Sequence, residues 1–240
     1  MAEYSPGLKS WQSGALARAV VAAEAQLLAE VGDDIFGLEL LHLGLWGQSH
    51  ELLRASHVRR HSVIAPAGMD GQAPDIFANL AGLPVATGSI DVVLLPHCLE
   101  IEADPGAVLR EAERVLLGEG HLIVLGFRPW SLWGLRAAAS RTGFPPGFRR
   151  LLPESRLRDW LVLLGFEVSL TRHYLYVWPT EPGSTAAQPL PGMLKRGLFN
   201  PLPACGYLLK ARKRVYALTP LRQRRRERAP MLGSLVKPSA

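Results

Sequence analysis

The side chains best suited to catalysis or metal binding in this 240-residue chain are histidines, and one of them follows a long apolar run. His97 comes shortly after IDVVLL at 90–95, and an imidazole at that place could act as a general base. A turn histidine that lines a pocket is the alternative. His57 and His61 are four residues apart, but no third ligand accompanies them, and we expect no metal site.

A segment rich in tryptophan and arginine, residues 127–136, follows a second apolar run, HLIVLGF. Trp130, Trp133 and Arg136 could together form an amphipathic lid over an apolar or anionic molecule. A short helix that packs its tryptophans on the core is the alternative. The motifs GxGxxG, GxxxxGK[ST] and GxSxG do not occur in the sequence, which weakens dehydrogenase, NTPase and hydrolase hypotheses.

Hydrophobic periodicity predicts the elements that position these residues. Apolar runs predict strands, and residues of one face recurring at helical spacing predict helices between them. Because strands and helices alternate, we expect an α/β fold: a doubly wound, mostly parallel sheet with helices on both faces. The last two strands follow one another directly and should pair antiparallel at one edge. The predicted strands are 38–43, 60–65, 76–80, 90–95, 121–127, 167–178 and 205–218, and the main predicted helices are 11–31, 104–117 and 153–164.

One block of sequence carries a family pattern. It reads LP at 83–84, SIDVV at 89–93, DP at 104–105, LREAERVL at 109–116 and Gly120. This resembles the second half of a class I S-adenosylmethionine-dependent methyltransferase of the type 11 kind. The resemblance implies a seven-stranded Rossmann-like sheet of order 3-2-1-4-5-7-6, S-adenosylmethionine as cofactor, and methyl transfer to an acceptor.

The resemblance also implies where the site lies. In open α/β sheets a ligand binds beyond the carboxyl ends of the strands, where the strand order switches. Asp91, at the start of the fourth strand, lies at the opposite end and should be structural. On the family pattern, His97 is the candidate base, and Trp130, Trp133 and Arg136 are the candidate substrate cap. The candidate cofactor-binding residues are His42, Gly44, Trp46, Gly47, Ala65, Asn79, Leu80 and Pro96.

The first motif of the family, D/E-x-G-x-G-x-G, is degenerate in this chain. The matching residues read HLGLWGQ at 42–48, so that Trp46 stands where the second glycine is expected. A Trp side chain there would intrude on the methionine moiety of the cofactor unless the loop changes course, for example at Gly47. The acid expected after the second strand is absent at Ala65, and the acid expected after the third is Asn79.

Charge divides the chain into two parts. The formal net charge is +6, from 27 Lys and Arg against 21 Asp and Glu. Twelve of those basic residues lie in 195–240 with Glu227 as the one acid, so the rest of the chain is acidic. We expect an N-terminal helix on the core at 1–34, a methyltransferase-like domain at 35–218 and a basic, disordered tail at 219–240.

The tail leaves a second functional hypothesis open. A basic arm can bind nucleic acid, an anionic membrane surface or an acidic partner, or it can be a solvated tail without a ligand. The chain could therefore be a non-catalytic methyltransferase-like module that binds an anionic partner. Two cysteines, the lack of a leader and the lack of a transmembrane segment predict a cytoplasmic protein.

Overall fold

A seven-stranded sheet of order β3-β2-β1-β4-β5-β7-β6 forms the centre of the protein in a computed structural model. The structure describes residues 6–33, 35–47, 52–53, 57–66, 74–141, 143–176 and 203–215. Strands β1 to β5 run parallel to one another, and β7 is antiparallel to both β5 and β6. The predicted fold class and strand order are confirmed. The strands are β1 Phe36–Leu43, β2 His57–Ala65, β3 Ile76–Phe77, β4 Ile90–Pro96, β5 Leu116–Phe127, β6 Phe166–Tyr174 and β7 Gly206–Lys213.

Helices cover both faces of this sheet. They are α1 Pro6–Gln12, α2 Ala15–Gly32, α3 Cys98–Ile101, α4 Pro105–Val115, α5 Leu132–Ala139 and α6 Glu154–Leu163. The single helix predicted over 11–31 is in fact two helices, α1 and α2. The chain breaks at Gly14, whose backbone is extended at φ −71° and ψ 160°.

Alternation along the strands gives the sheet two apolar cores. Leu40 of β1 belongs to the core that contains α1 and α2, whereas its neighbour Leu41 belongs to the core that contains α4 and α6. Helix α4 begins as its sequence predicts. Asp104 accepts a hydrogen bond from the backbone N–H of Ala107 at 3.0 Å, and Pro105 takes the first helical position, where no backbone donor is needed.

Asp91 connects β1 and β4 at the amino ends of both strands. Its Oδ2 accepts hydrogen bonds from the backbone N–H groups of Leu38, at 2.9 Å, and Glu39, at 3.0 Å. Gly37 makes room for this carboxylate, since a Cβ there would lie 2.6 Å from the Cβ of Asp91. The far end of the sheet is thereby fixed, and the carboxyl ends of the same strands remain for the candidate site.

Several predicted boundaries differ from the observed ones. Strand β5 begins at Leu116 rather than 121, because Leu116 already pairs with Ile90 of β4. Strand β3 has two residues rather than five. The predicted tail, 219–240, lies outside the described residues. Within the part of the chain that the structure describes, no helix is both long and apolar enough to cross a membrane.

Candidate active site

The turn after β1 and the end of β4 meet at the switch in strand order. Gly44 and Gly47 have positive φ values of 92° and 66°, which L side chains rarely adopt. The N–H of Gly44 donates to the carbonyl of Ile64 on β2 at 2.8 Å. Gly47 packs against α2, since a Cβ there would lie 2.8 Å from Cγ1 of Val21. The chain thus makes a glycine turn at the predicted place, with α2 pressed against it.

Trp46 points inward from this turn and is 1% exposed. Its Nε1 donates to Oε2 of Glu24 on α2 at 2.6 Å. Its ring stacks on Trp11 of α1, with centroids 5.5 Å apart, and lies 4.3 Å from the ring of His97. The space between the β1 turn and the end of β4 is therefore filled by a side chain of the turn itself.

His97 follows β4 in a left-handed conformation, φ 56°, and its ring is completely buried. Nδ1 lies 2.7 Å from Oε2 of Glu100, and Nε2 lies 2.8 Å from Oε1 of Glu24. Burial by itself lowers the pKa of His97, but the charge of Glu24 and hydrogen bonds to Glu100 and Glu24 outweigh it and raise this pKa to about 9. The raised pKa favours the protonated imidazole at neutral pH, and its ring lies between the carboxyl groups of Glu24 and Glu100.

Two further contacts complete this group. Oε1 of Glu100 accepts a hydrogen bond from the N–H of Phe127 at 2.8 Å, and the hydroxyl of Tyr174 donates to Oε1 of Glu24 at 2.7 Å. Burial raises the pKa of Glu100, and burial together with the charge of Glu24 raises that of Tyr174 well above its usual range. We call these five buried side chains the Glu24 network: Glu24, Trp46, His97, Glu100 and Tyr174.

The network bears directly on the role predicted for His97. A protonated imidazole has no lone pair with which to accept a proton, and both of its nitrogens already contact carboxylates. In this conformation both nitrogens of His97 are engaged by Glu24 and Glu100, and its catalytic role stays a prediction. Its predicted catalytic role would require the pair with Glu24 to open.

His42 occupies the position of the acid in the family's first motif. Its ring is fully buried near the carboxyl end of β1, and neither nitrogen has a hydrogen-bond partner among the described residues. Burial lowers the pKa of His42 to about 4, so the ring is neutral at pH 7. Burying a donor and an acceptor without partners costs free energy. A polar group of a ligand that formed hydrogen bonds with His42 would recover part of that cost.

The other predicted cofactor residues lie along the same edge of the sheet. Ala65 and Pro96 are buried at the ends of β2 and β4, and Leu80 is buried after β3. Asn79 is exposed, and its Oδ1 accepts a hydrogen bond from the N–H of Ala81 at 3.0 Å. The structure brings these residues to one edge, and their part in binding stays a prediction. Residues 67–73, between β2 and β3, lie outside the described part.

The candidate cap splits into two environments. Trp133 is 0% exposed and stacks on Phe127 with centroids 4.8 Å apart, as the core-packing alternative proposes. Trp130 is 85% exposed, and Arg136 lies with its guanidinium carbon 3.9 Å from the centroid of the Phe144 ring. Trp130 and Arg136 are thus the members of the segment that a ligand can reach.

Sequence reasoning missed Glu24, Glu100 and Tyr174. One signal for Glu24 was present: it stands four residues from both Val20 and Leu28 on the apolar face of α2, where a charge is out of place. Glu100 stands three residues after His97, the spacing of neighbours on a helix. Tyr174 has no comparable local signal.

Comparisons with known proteins agree with this architecture. The family model described as methyltransferase domain matches residues 49–124. The uncharacterized protein YafS of Escherichia coli (strain K12) is 33% identical over 195 residues, which cover 79% of this chain and 75% of YafS.

Solved structures with the same fold include two that are described as S-adenosylmethionine-dependent methyltransferases. The protein from Thermotoga maritima has a TM-score of 0.61 at 17% identity and covers 86% of this chain and 94% of its own. The protein from Archaeoglobus fulgidus has a TM-score of 0.57 at 13% identity and covers 82% and 94%. At these identities the likeness shows the fold.

Proposed function

The chain belongs to the class I S-adenosylmethionine-dependent methyltransferase family, and we propose that it transfers a methyl group from S-adenosylmethionine to an acceptor. One observation carries this proposal: the glycine turn of Gly44 and Gly47 faces the end of β4 where the strand order switches. His42, buried at this edge without a hydrogen-bond partner among the described residues, adds support.

The cofactor does not fit the described conformation in full. The methionine end of S-adenosylmethionine would need the space beside the turn that glycine leaves open in the family's first motif. Here the ring of Trp46 fills that space and is held by Glu24, Trp11 and His97. We therefore propose that the described conformation is a closed one and that Trp46 must leave its place before the cofactor binds.

Calorimetric titration with S-adenosylmethionine and S-adenosylhomocysteine tests this proposal. Trp46→Ala removes the side chain that fills the site, and we expect it to bind either ligand at least about tenfold more tightly than the wild type, a gain of about 1.4 kcal/mol. Trp160→Ala is the matched control, because Trp160 is a partly buried tryptophan in the core on the opposite face of the sheet. Its affinity should equal that of the wild type.

Three results separate the two parts of the proposal. Tighter binding by Trp46→Ala alone supports both the function and the closing role of Trp46. Equal binding by wild type and Trp46→Ala leaves the function standing and removes the closing role. If neither protein binds at millimolar ligand, the methyltransferase proposal is wrong, and a non-catalytic module becomes the better hypothesis.

A further inference from the structure

A groove of about 350 Å³ lies between α5 and the segment 143–151. A volume of this size is in the range that small-molecule sites occupy. Apolar and aromatic side chains make up most of its lining, which also includes two arginines. The lining includes Trp130, Ala138, Phe144, Phe148, Arg149 and Arg150.

Trp130 forms an exposed aromatic wall of the groove. Its side chain is 85% exposed, and Leu135, close by on α5, is 67% exposed. Large exposed apolar side chains next to a groove are typical of a surface that binds another molecule. The indole offers a flat apolar face to a molecule in the groove.

The charge around the groove is positive. Between His121 and Pro153 the sequence has five arginines and neither aspartate nor glutamate. Arg149 is exposed, and no ion pair with it is found among the described residues, whereas Arg150 donates to the carbonyl of Ala103. Arg149 interacts electrostatically with the buried Glu102. An anionic group at this end of the groove would therefore meet a net attraction.

The inner wall of the groove adjoins the Glu24 network. The ring of Phe148 lines the groove, and its centroid lies 5.8 Å from that of Trp46 and 5.9 Å from that of His97. The backbone N–H of Arg149 also donates to the carbonyl of Glu100 at 2.9 Å. A molecule in the groove would be separated from the closed site by one aromatic ring.

We propose that this groove binds a small amphiphilic anion. Its apolar body lies against Trp130, Phe144 and Phe148, and its anionic head lies toward Arg149. We further assign this molecule the part of methyl acceptor, an assignment that rests on the proposed function. In that transfer a nucleophilic atom of the molecule forms a bond to the methyl carbon as its bond to the sulfonium sulfur breaks and S-adenosylhomocysteine is released, which requires the Phe148 ring to move aside. The placement follows from the aromatic walls, the basic end and the position next to Trp46 and His97.

Fluorescence of 1-anilinonaphthalene-8-sulfonate, an aromatic sulfonate, provides the test on the full-length protein. We expect it to bind and to be displaced by dodecanoate, but not by dodecyltrimethylammonium, which has the same tail and the opposite charge. Ala138→Trp fills the groove from an exposed position, and Arg149→Gln removes the attracting charge; each should weaken binding by about tenfold. Arg156→Gln is the control, because Arg156 lines a different cavity beside Trp160.

Each alternative result overturns the proposal in a recognisable way. Equal loss in all three variants, or loss in Arg156→Gln alone, would place the anion elsewhere. Displacement by dodecyltrimethylammonium would remove the anionic class. Binding to phosphatidylglycerol vesicles without displacement by dodecanoate would indicate a membrane surface in place of a small molecule.

Titration of the same variants with S-adenosylhomocysteine separates this proposal from the proposed function. Ala138→Trp should bind S-adenosylhomocysteine as the wild type does while losing the sulfonate, since the groove lies outside the closed site. If the sulfonate binds in the groove but neither the wild type nor Trp46→Ala binds S-adenosylhomocysteine, the acceptor assignment falls with the methyltransferase proposal. Unchanged circular dichroism in each variant shows that the fold is intact.

Discussion

Glu24 of α2 accepts a hydrogen bond from the indole of Trp46 at 2.6 Å, and both side chains are buried. This contact fixes α2 to the turn after β1. The same carboxylate contacts His97 after β4 and Tyr174 at the end of β6. One buried carboxylate therefore joins four segments over the switch in strand order.

Removal of that carboxylate should be strongly destabilising. Glu24→Ala leaves His97 as a buried cation with one carboxylate fewer, and loss of one member of a buried ion pair costs about 3–5 kcal/mol. Glu24→Gln keeps an acceptor and should cost less, roughly 1–3 kcal/mol. Urea unfolding gives both values, with Glu30→Ala on the exposed side of α2 as a control near zero. Equal losses for the Ala and Gln variants would contradict the ionic role.

Stability should fall as the solution becomes alkaline. The pKa of His97 is raised from 6.5 to about 9 in the fold, so the native state holds this proton more tightly than the unfolded chain. Its contribution is complete below pH 6.5 and is lost as the pH rises through 9; a shift of this size corresponds to roughly 3 kcal/mol. We expect the free energy of unfolding to fall across this window.

His97→Gln should remove most of that alkaline loss, whereas His173→Gln on β6 should keep it. His173 is a suitable control because it is exposed and pairs with Glu154, away from the Glu24 network. Unfolding measured at pH 6 to 10 compares the three proteins. An identical slope in His97→Gln would show that other groups cause the loss.

The Glu24 network shows which features of this structure the sequence could predict and which it could not. The start of α4 at Asp104 and Pro105 is local chemistry, and the strand at 90–95 follows from a run of buried apolar residues, so both are predictable. The burial of Glu24 is different. It depends on His97, which is 73 residues away in the sequence. No residue close to Glu24 in the sequence indicates that this charged side chain will be paired.

The two cap tryptophans show the same limit. Trp130 and Trp133 lie three residues apart with similar neighbours, yet one is exposed and the other is completely buried. Their difference arises where α5 begins: Ser131 accepts a hydrogen bond from the N–H of Gly134 at 3.2 Å, and the helix then turns Trp133 onto Phe127. The sequence identified the segment, but only the packing of α5 shows which of the two tryptophans is buried.

His42→Leu should stabilise the fold while weakening ligand binding. His42 is buried without a hydrogen-bond partner among the described residues, and an apolar side chain there should raise the free energy of unfolding by roughly 1–2 kcal/mol at pH 7. Its pKa is lowered from 6.5 to about 4, so the unfolded chain takes up the proton first and stability falls as pH drops through this range. His42→Leu should remove this decrease in the free energy of unfolding at acid pH.

Calorimetry with S-adenosylhomocysteine supplies the second half of this prediction. If His42 meets a polar group of the ligand, His42→Leu should bind it less tightly despite its greater stability. His61→Leu, on the exposed part of β2, should change neither property by a measurable amount. Higher stability with undiminished affinity would make His42 a structural residue.

Asp91 should affect stability and leave the site unchanged. Its carboxylate accepts two backbone hydrogen bonds from β1, and Asp91→Ala should cost roughly 1.5–3 kcal/mol. Asp91→Asn keeps an acceptor and should lose less. Because Asp91 lies at the opposite end of β4 from His97, both variants should bind S-adenosylhomocysteine as the wild type does. Weaker binding at native stability would place Asp91 in the site.

Trp133→Ala and Trp130→Ala should have opposite effects. Trp133 is buried between Phe127 and Phe144, and its loss should cost about 3–5 kcal/mol in urea unfolding. Trp130 is exposed, so its loss should change stability by less than about 0.5 kcal/mol. Binding of the aromatic sulfonate should instead weaken in Trp130→Ala, because the indole forms a wall of the groove. If Trp130→Ala is destabilised as strongly as Trp133→Ala, the indole is a packing residue, and the groove loses its aromatic wall as a recognition element.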